Sequence, residues 1–266
     1  MKKASRVLIA LMGLPSSGKT TIARVLAKEL DEQHGFPSIV IGTDDVRRWI
    51  PRQTDQFNPE AEPFIKDLTL KIIDFCLKRD YLVINDDMNY YKSMRHELKE
   101  IAEENQAHFI LLHIQIPLEI ALEWNQSRGL PIPQEVIRTV YERFDAPGDY
   151  QWDVPLLTIQ SNETPSELAK AEILAKIIPL IASPLEPKVA QPDATPGINE
   201  KIDKITRDIV AEIARATKDP TLLKKISKFR IDYIKKLDID EISLEKIGKD
   251  FSEKLNLFLN NIKRAK

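Results

Sequence analysis

The clearest chemical spacing in the chain is Gly13-Leu14-Pro15-Ser16-Ser17-Gly18-Lys19-Thr20, followed by Thr21, which fits G-x-x-x-x-G-K-[ST]. Glycines at this spacing let successive backbone N–H groups curl around phosphates, and a helix beginning there directs its positive end toward them. Lys19 would reach the β- and γ-phosphates of a nucleoside triphosphate, and the Thr20 hydroxyl would ligate Mg2+. The pattern has the context that gives it meaning: the apolar run VLIALM before it and an amphipathic stretch after it.

Three further stretches carry candidates. NDDMNYY places Asp86 and Asp87 where a carboxylate can orient a metal-bound water, with Asp86 the first choice and paired turn residues the alternative. GTDDVRRWI offers Asp44, which can accept the proton of an incoming hydroxyl, and Arg47 one helical turn on, which can hold an anion. Asp44 would also serve as a helix cap, a role compatible with the first. In HIQIPLEIALEWNQSRGLPIP, Arg128 is a candidate lid arginine closing over phosphates, or else an ordinary arginine at a helix end.

These stretches need elements to position them. Five apolar, β-branched runs, VLIALM, SIVIG, YLVIN, FILLHI and PLLTI, alternate with helical patterns. Unbroken apolar strands alternating with helices imply a parallel sheet covered on both faces, an α/β three-layer domain. Ligands of such sheets bind beyond the carboxyl ends of the strands, where the candidate residues fall.

The segment SPLEPKVAQPDATPGIN, with Pro184, Pro187, Pro192 and Pro196, reads as a linker. The expected division is a nucleotide-binding domain over 1–182, a Pro-rich linker over 183–199 and a small all-α domain over 200–266. The formal net charge of -2 conceals an imbalance between them. Residues 197–266 hold 17 Lys and Arg against 12 Asp and Glu, and the rest of the chain 22 against 29. In TLLKKISKFRIDYIKKLD, helical spacing puts Leu222, Ile226, Phe229, Tyr233 and Leu237 on one face and Lys224, Lys228 and Lys235 on the other. Such a basic face is usually just solvated, and its partner must be argued from elsewhere.

Cys76 is the only cysteine and lies in a helical pattern, which excludes an intrachain disulfide or a thiolate zinc site. The four histidines show no metal-ligand spacing. No apolar run of spanning length and no signal-peptide pattern is present, so the expected location is the cytoplasm.

Taken together, GLPSSGKT, TDDVRR, DDMNYYKSMRHEL and PQEVIRTVYERFDAPGDYQWDVPLLTI resemble the archaeal O-phosphoseryl-tRNA(Sec) kinase family, over most of residues 6–160 and again in IDKITRDIV. The resemblance implies a P-loop kinase fold, ATP and Mg2+, and phosphorylation of the serine carried by selenocysteine tRNA. It implies that Asp44 acts on the serine hydroxyl, that Arg47 and Glu62 lie at the active site, and that Arg128 is the second arginine of an R-x-x-x-R lid. It also implies that the basic helical domain binds tRNA, rather than DNA or a membrane, and that a homodimer is possible. Two positions depart from the family: Met88 replaces a threonine and Trp124 replaces the first lid arginine. The run EWNQSR instead resembles the Elongator-associated P-loop ATPase, a tRNA-dependent hydrolase. A small-molecule kinase would need neither the basic domain nor its linker, and a pure RNA-binding module would not need Lys19 and Thr20.

Overall fold

The computed structural model describes residues 6–50, 60–129, 132–182, 202, 205–210, 212–213, 217, 220–235, 237 and 244–264. The chain divides into two compact units, Met1–Glu186 and Pro187–Lys266. The segment 183–199 expected as a linker lies outside the described residues.

The first unit runs β1 (Val7–Met12), α1 (Lys19–Glu32), β2 (Ser38–Ile41), α2 (Thr43–Arg48), α3 (Glu62–Leu77), β3 (Leu82–Asn85), α4 (Lys92–Glu104), β4 (His108–Gln115), α5 (Leu118–Ser127), α6 (Gln134–Glu142), β5 (Leu157–Gln160) and α7 (Ser166–Ala182). The strands form one parallel sheet in the order β2-β3-β1-β4-β5, with Ile9 of β1 in register with Ile84 of β3 and Ile110 of β4. All five apolar runs are therefore strands, and the three-layer arrangement follows from how β1 alternates. Val7, Ile9 and Leu11 pack against Leu26 and Leu30 of α1 and Ile173 and Ile177 of α7. Leu8, Ala10 and Met12 pack on the other face, against Ile73 and Leu77 of α3 and Leu98 of α4. A strand buried on both faces has no polar side, which is why it reads as an unbroken apolar run. Each Val, Leu, Ile or Met among them contributes about 1.5–3 kcal/mol by leaving water. Cys76 is buried in the second of these layers, and burial raises its thiol pKa.

This strand order sets the site. With β3 inserted between β2 and β1, the segments leaving all three strands lie side by side at the carboxyl edge of the sheet.

The second unit contains α8 (Pro220–Lys235) and α9 (Leu244–Arg264), with residues 205–210 also helical. Its core holds Ile202, Ile226, Tyr233, Ile247, Phe251 and Leu255, with Leu222, Phe229 and Leu237 packed against them. The apolar face expected for TLLKKISKFRIDYIKKLD is thus the packed face. The Tyr233 hydroxyl donates to Asp250 Oδ2 at 2.7 Å, tying α8 to α9. Lys228 is exposed, whereas the side chains of Lys224 and Lys235 lie outside the described residues. Among the described residues no helix is long and apolar enough to cross a membrane.

Candidate active site

The loop after β1 is shaped by two glycines. At Gly13, φ is 149°, and a β-carbon would lie 2.2 Å from the Ile114 carbonyl oxygen at the end of β4. Gly18, at φ 89°, caps the start of α1 in the left-handed region that other residues avoid. The tip of β3 holds the same loop: Gly13 N–H donates to Met88 O at 3.0 Å, and Asn89 Nδ2 to Leu11 O at 2.7 Å. Inside it lies Lys19, only 7% exposed. Its ammonium donates to Leu14 O at 2.6 Å, Gly13 O at 3.1 Å and Ser17 Oγ at 3.3 Å. Burial lowers its pKa to about 8, opposed by the charges of Asp86, Asp87 and Asp44 and reinforced by Arg128. An ammonium held on carbonyl oxygens in a low-dielectric loop is poised for a stronger oxygen partner, which the phosphates of a nucleotide supply.

The adjacent aspartates after β3 have different partners. Asp86 receives a hydrogen bond from Thr20; burial raises its pKa, while Thr20 and the Lys19 charge pull it back. Asp87 is spent on joining β2 to β3: it accepts from the Thr43 hydroxyl at 2.5 Å, the Thr43 N–H at 3.1 Å and Asn85 Nδ2 at 3.1 Å. Burial pushes Asp87 up to about 6 despite those bonds. The Thr20 hydroxyl and Asp86 carboxylate are hard oxygen donors side by side, a pair that fits Mg2+. No group of three or more His, Cys, Asp or Glu among the described residues could hold a metal, so such an ion would complete its shell with phosphate and water oxygens.

The facing wall comes from α2 and α3. Gly42 N–H donates to Asp45 Oδ2 at 3.1 Å, so Asp45 caps α2. A β-carbon on Gly42 would meet Asp86 O at 2.4 Å, which is how closely the ends of β2 and β3 approach. Asp44, with its side chain 86% exposed, bonds Arg47 Nη1. Arg47 grips Glu62 at the start of α3 through Nε to Oε1 at 3.2 Å and Nη2 to Oε1 and Oε2 at 3.1 and 2.9 Å. Burial works against the Arg47 charge, but Glu62 and then Asp44 outweigh it and raise its pKa. A cleft of about 570 Å³ opens between the walls, lined by Thr20, Arg24, Val40, Asp44, Asp45, Arg47, Arg48 and Asp86. It joins the Thr20–Asp86 pair on one side to Asp44 on the other.

Arg128, at the end of α5, is exposed and donates from Nε to Trp124 O at 3.3 Å. The two departures from the resembled family occur together: Met88 and Trp124 both pack on the apolar cluster of Leu14, Ile116, Ala121, Ile137 and Val140. Asn125 closes the turn behind α5, donating to Ile132 O at 2.7 Å and accepting from Ile132 N–H at 3.2 Å.

Sequence reasoning passed over two features, a buried ion pair and a single arginine. Arg95 of α4 and Asp153, both 0% exposed, form a fork of Nε–Oδ1 2.5 Å and Nη2–Oδ2 2.8 Å. Arg95 Nη1 also donates to Asn89 O at 3.0 Å and Tyr90 O at 3.4 Å, holding the segment that carries Asp86 and Met88. The stretches DDMNYYKSMR and QWD contain these residues, but nothing in either shows that they meet. Arg24 is the second, lying one turn beyond Thr20 on α1.

The family model for chromatin associated protein KTI12 matches residues 7–261. An L-seryl-tRNA(Sec) kinase of Methanococcus maripaludis is 34% identical over 259 residues, covering 94% of this chain and 98% of its own. A KTI12 homolog of Danio rerio is 26% identical over 215 residues, covering 79% of this chain and 76% of its own. The crystal structure of Chaetomium thermophilum Kti12 in complex with ADP-AlF3 superposes with a TM-score of 0.56 at 25% identity, over 66% of this chain and 100% of that one. With a P-loop, a kinase-type sheet and these relatives, the chain is a nucleotide-binding P-loop enzyme and belongs to the KTI12 family.

Proposed function

We propose that the protein is an ATP-dependent kinase that phosphorylates the seryl group of seryl-tRNA(Sec), giving O-phosphoseryl-tRNA(Sec). The observation that carries this reading is Asp44, an exposed carboxylate facing the Thr20–Asp86 pair across an open cleft and held by an arginine that Glu62 fixes. Either reaction needs a group that orients its nucleophile, but a carboxylate 86% exposed on an open cleft leaves room for an alcohol carried by a larger acceptor.

In this reading the loop amides and Lys19 would bind the β- and γ-phosphates, and Thr20 and Asp86 would hold Mg2+. The metal ion would neutralise charge on the phosphate oxygens. Asp44 accepts the hydrogen bond of the serine hydroxyl, aligns it and takes its proton. The bond from serine Oγ to the γ-phosphorus forms as that from the γ-phosphorus to the β–γ bridging oxygen breaks, and ADP leaves. Arg47 and Arg128 supply positive charge around the transferring group. The basic helical unit, with exposed Lys228 and with Lys224 and Lys235, contacts the tRNA backbone, whose shape rather than sequence such a surface reads.

A second reading has its own support. Trp124 and Met88 build an apolar cluster onto Leu14 of the P-loop where the kinase family has a cation and a hydroxyl, which suits a tRNA-dependent ATPase with water as acceptor. Incubation with γ-labelled ATP, Mg2+ and seryl-tRNA(Sec) separates the two. Label on the RNA-linked serine is the expected result; free phosphate alone, stimulated by several tRNAs, would identify the hydrolase.

A further inference from the structure

Three arginines line the cleft, and two of them are committed. Arg47 is engaged by Glu62 and Asp44, and Arg48 bonds Asp45 and donates to Asp44 O at 3.2 Å. Arg24 is exposed and forms no hydrogen bond or ion pair among the described residues, yet it lines the same cleft one helical turn beyond Thr20. Arg24 is thus an uncommitted guanidinium in the same cleft as the Thr20–Asp86 pair and Asp44.

The size of the cleft also bears on what enters it. At about 570 Å³ it falls in the range that holds a drug-sized molecule, far more than a serine side chain fills. The remainder must accommodate whatever carries the reacting hydroxyl.

We propose that Arg24 binds a backbone phosphate of the acceptor's single-stranded RNA end, seating the terminal nucleotide so that the aminoacyl group reaches Asp44. This rests on the acceptor being carried by RNA. A guanidinium forks onto phosphate oxygens, and a single charged contact of this kind fixes register without reading sequence. The anion could otherwise be the nucleotide's own phosphate, which the test separates.

Arg24→Gln and Arg24→Lys in the full chain are compared with wild type for binding of uncharged tRNA(Sec) and of ATP across a KCl series, and for transfer to seryl-tRNA(Sec). Loss of one charged hydrogen bond is expected to raise the Kd for tRNA roughly tenfold to a hundredfold in Arg24→Gln. The slope of log K against log salt should become shallower by about 0.7, with Arg24→Lys restoring the slope because the charge remains. A purely structural role would not move that slope. An unchanged slope, or a loss that falls on ATP rather than on tRNA, overturns the assignment. If tRNA binding depends on Arg24 in this way but no label reaches serine, the assignment stands and the kinase reading fails.

Discussion

On one wall of the cleft Lys19 is buried and bonded to two backbone carbonyls and a neighbouring serine, while on the other Asp44 is 86% exposed and held only by side chains. The donor wall is a property of backbone: a turn that glycine permits at positions 13 and 18, and a loop clasped by Met88 O and Asn89. The acceptor wall is a property of ion pairs, from Asp44 to Arg47 on a helix of only six residues and from Arg47 to Glu62 at the start of α3. A backbone cradle tolerates change around it and keeps its one function, whereas an exposed ion-pair relay can be retuned by single substitutions. In the proposed reaction, the choice of acceptor would be decided on the second wall.

The largest expected effect breaks the donor wall alone. Lys19→Ala should lose ATP binding and reduce turnover by about 10³-fold or more, measured by nucleotide titration and steady-state kinetics. Lys19→Met should nevertheless melt no lower than wild type without nucleotide at pH 7, because it removes an ammonium whose burial is unfavourable. A lower melting temperature would mean that the donor wall is held by its lysine and not by its backbone.

Breaking what both walls share comes next. Arg95→Met leaves Asp153 buried and unpaired, which should cost about 3–5 kcal/mol in chemical denaturation. Replacing both, Arg95→Met with Asp153→Leu, should recover most of that. Failure to recover would show that the Arg95 bonds to Asn89 O and Tyr90 O matter more than the ion pair.

A pH effect is expected from a buried histidine of the sheet. His113, near the end of β4, stacks on Phe144 at 5.7 Å, and burial, with the charges of Arg95 and Lys19, lowers its pKa to about 4. The unfolded chain takes up the proton first as pH falls, so the stability contributed by neutral His113 is complete above about pH 6.5 and lost as pH falls toward 4. Denaturation at pH 5 should show about 2 kcal/mol of that loss in wild type and not in His113→Gln. Smallest is the sharpening of the acceptor wall: Glu62→Gln weakens the grip on Arg47 and should slow transfer about tenfold while leaving ATP affinity unchanged.

The strands and the P-loop were legible because each depends on neighbours in sequence. An unbroken apolar run marks a strand buried on both faces, and G-x-x-x-x-G-K-T marks a turn only glycine makes. Asp86 and Asp87 were ambiguous for the opposite reason: their difference lies in partners from other elements, Thr20 on α1 for one and Thr43 on α2 for the other. Arg95 and Asp153 are 58 residues apart, and a charge at full burial leaves no mark in composition. Arg24 looks like any helical arginine until the cleft is seen around it. Met88 and Trp124 appeared as two separate departures and are packed on one cluster.

The most direct test is the fraction of consumed ATP that appears as phosphoserine on seryl-tRNA(Sec), compared between wild type and Asp44→Asn at equal nucleotide occupancy. If the acceptor wall directs transfer to serine, nearly every ATP consumed by wild type yields a phosphoserine. In Asp44→Asn, transfer should fall about 10²–10⁴-fold while ATP binding is retained. Wild type that releases only free phosphate, or an Asp44→Asn variant that still phosphorylates serine, would contradict the claim.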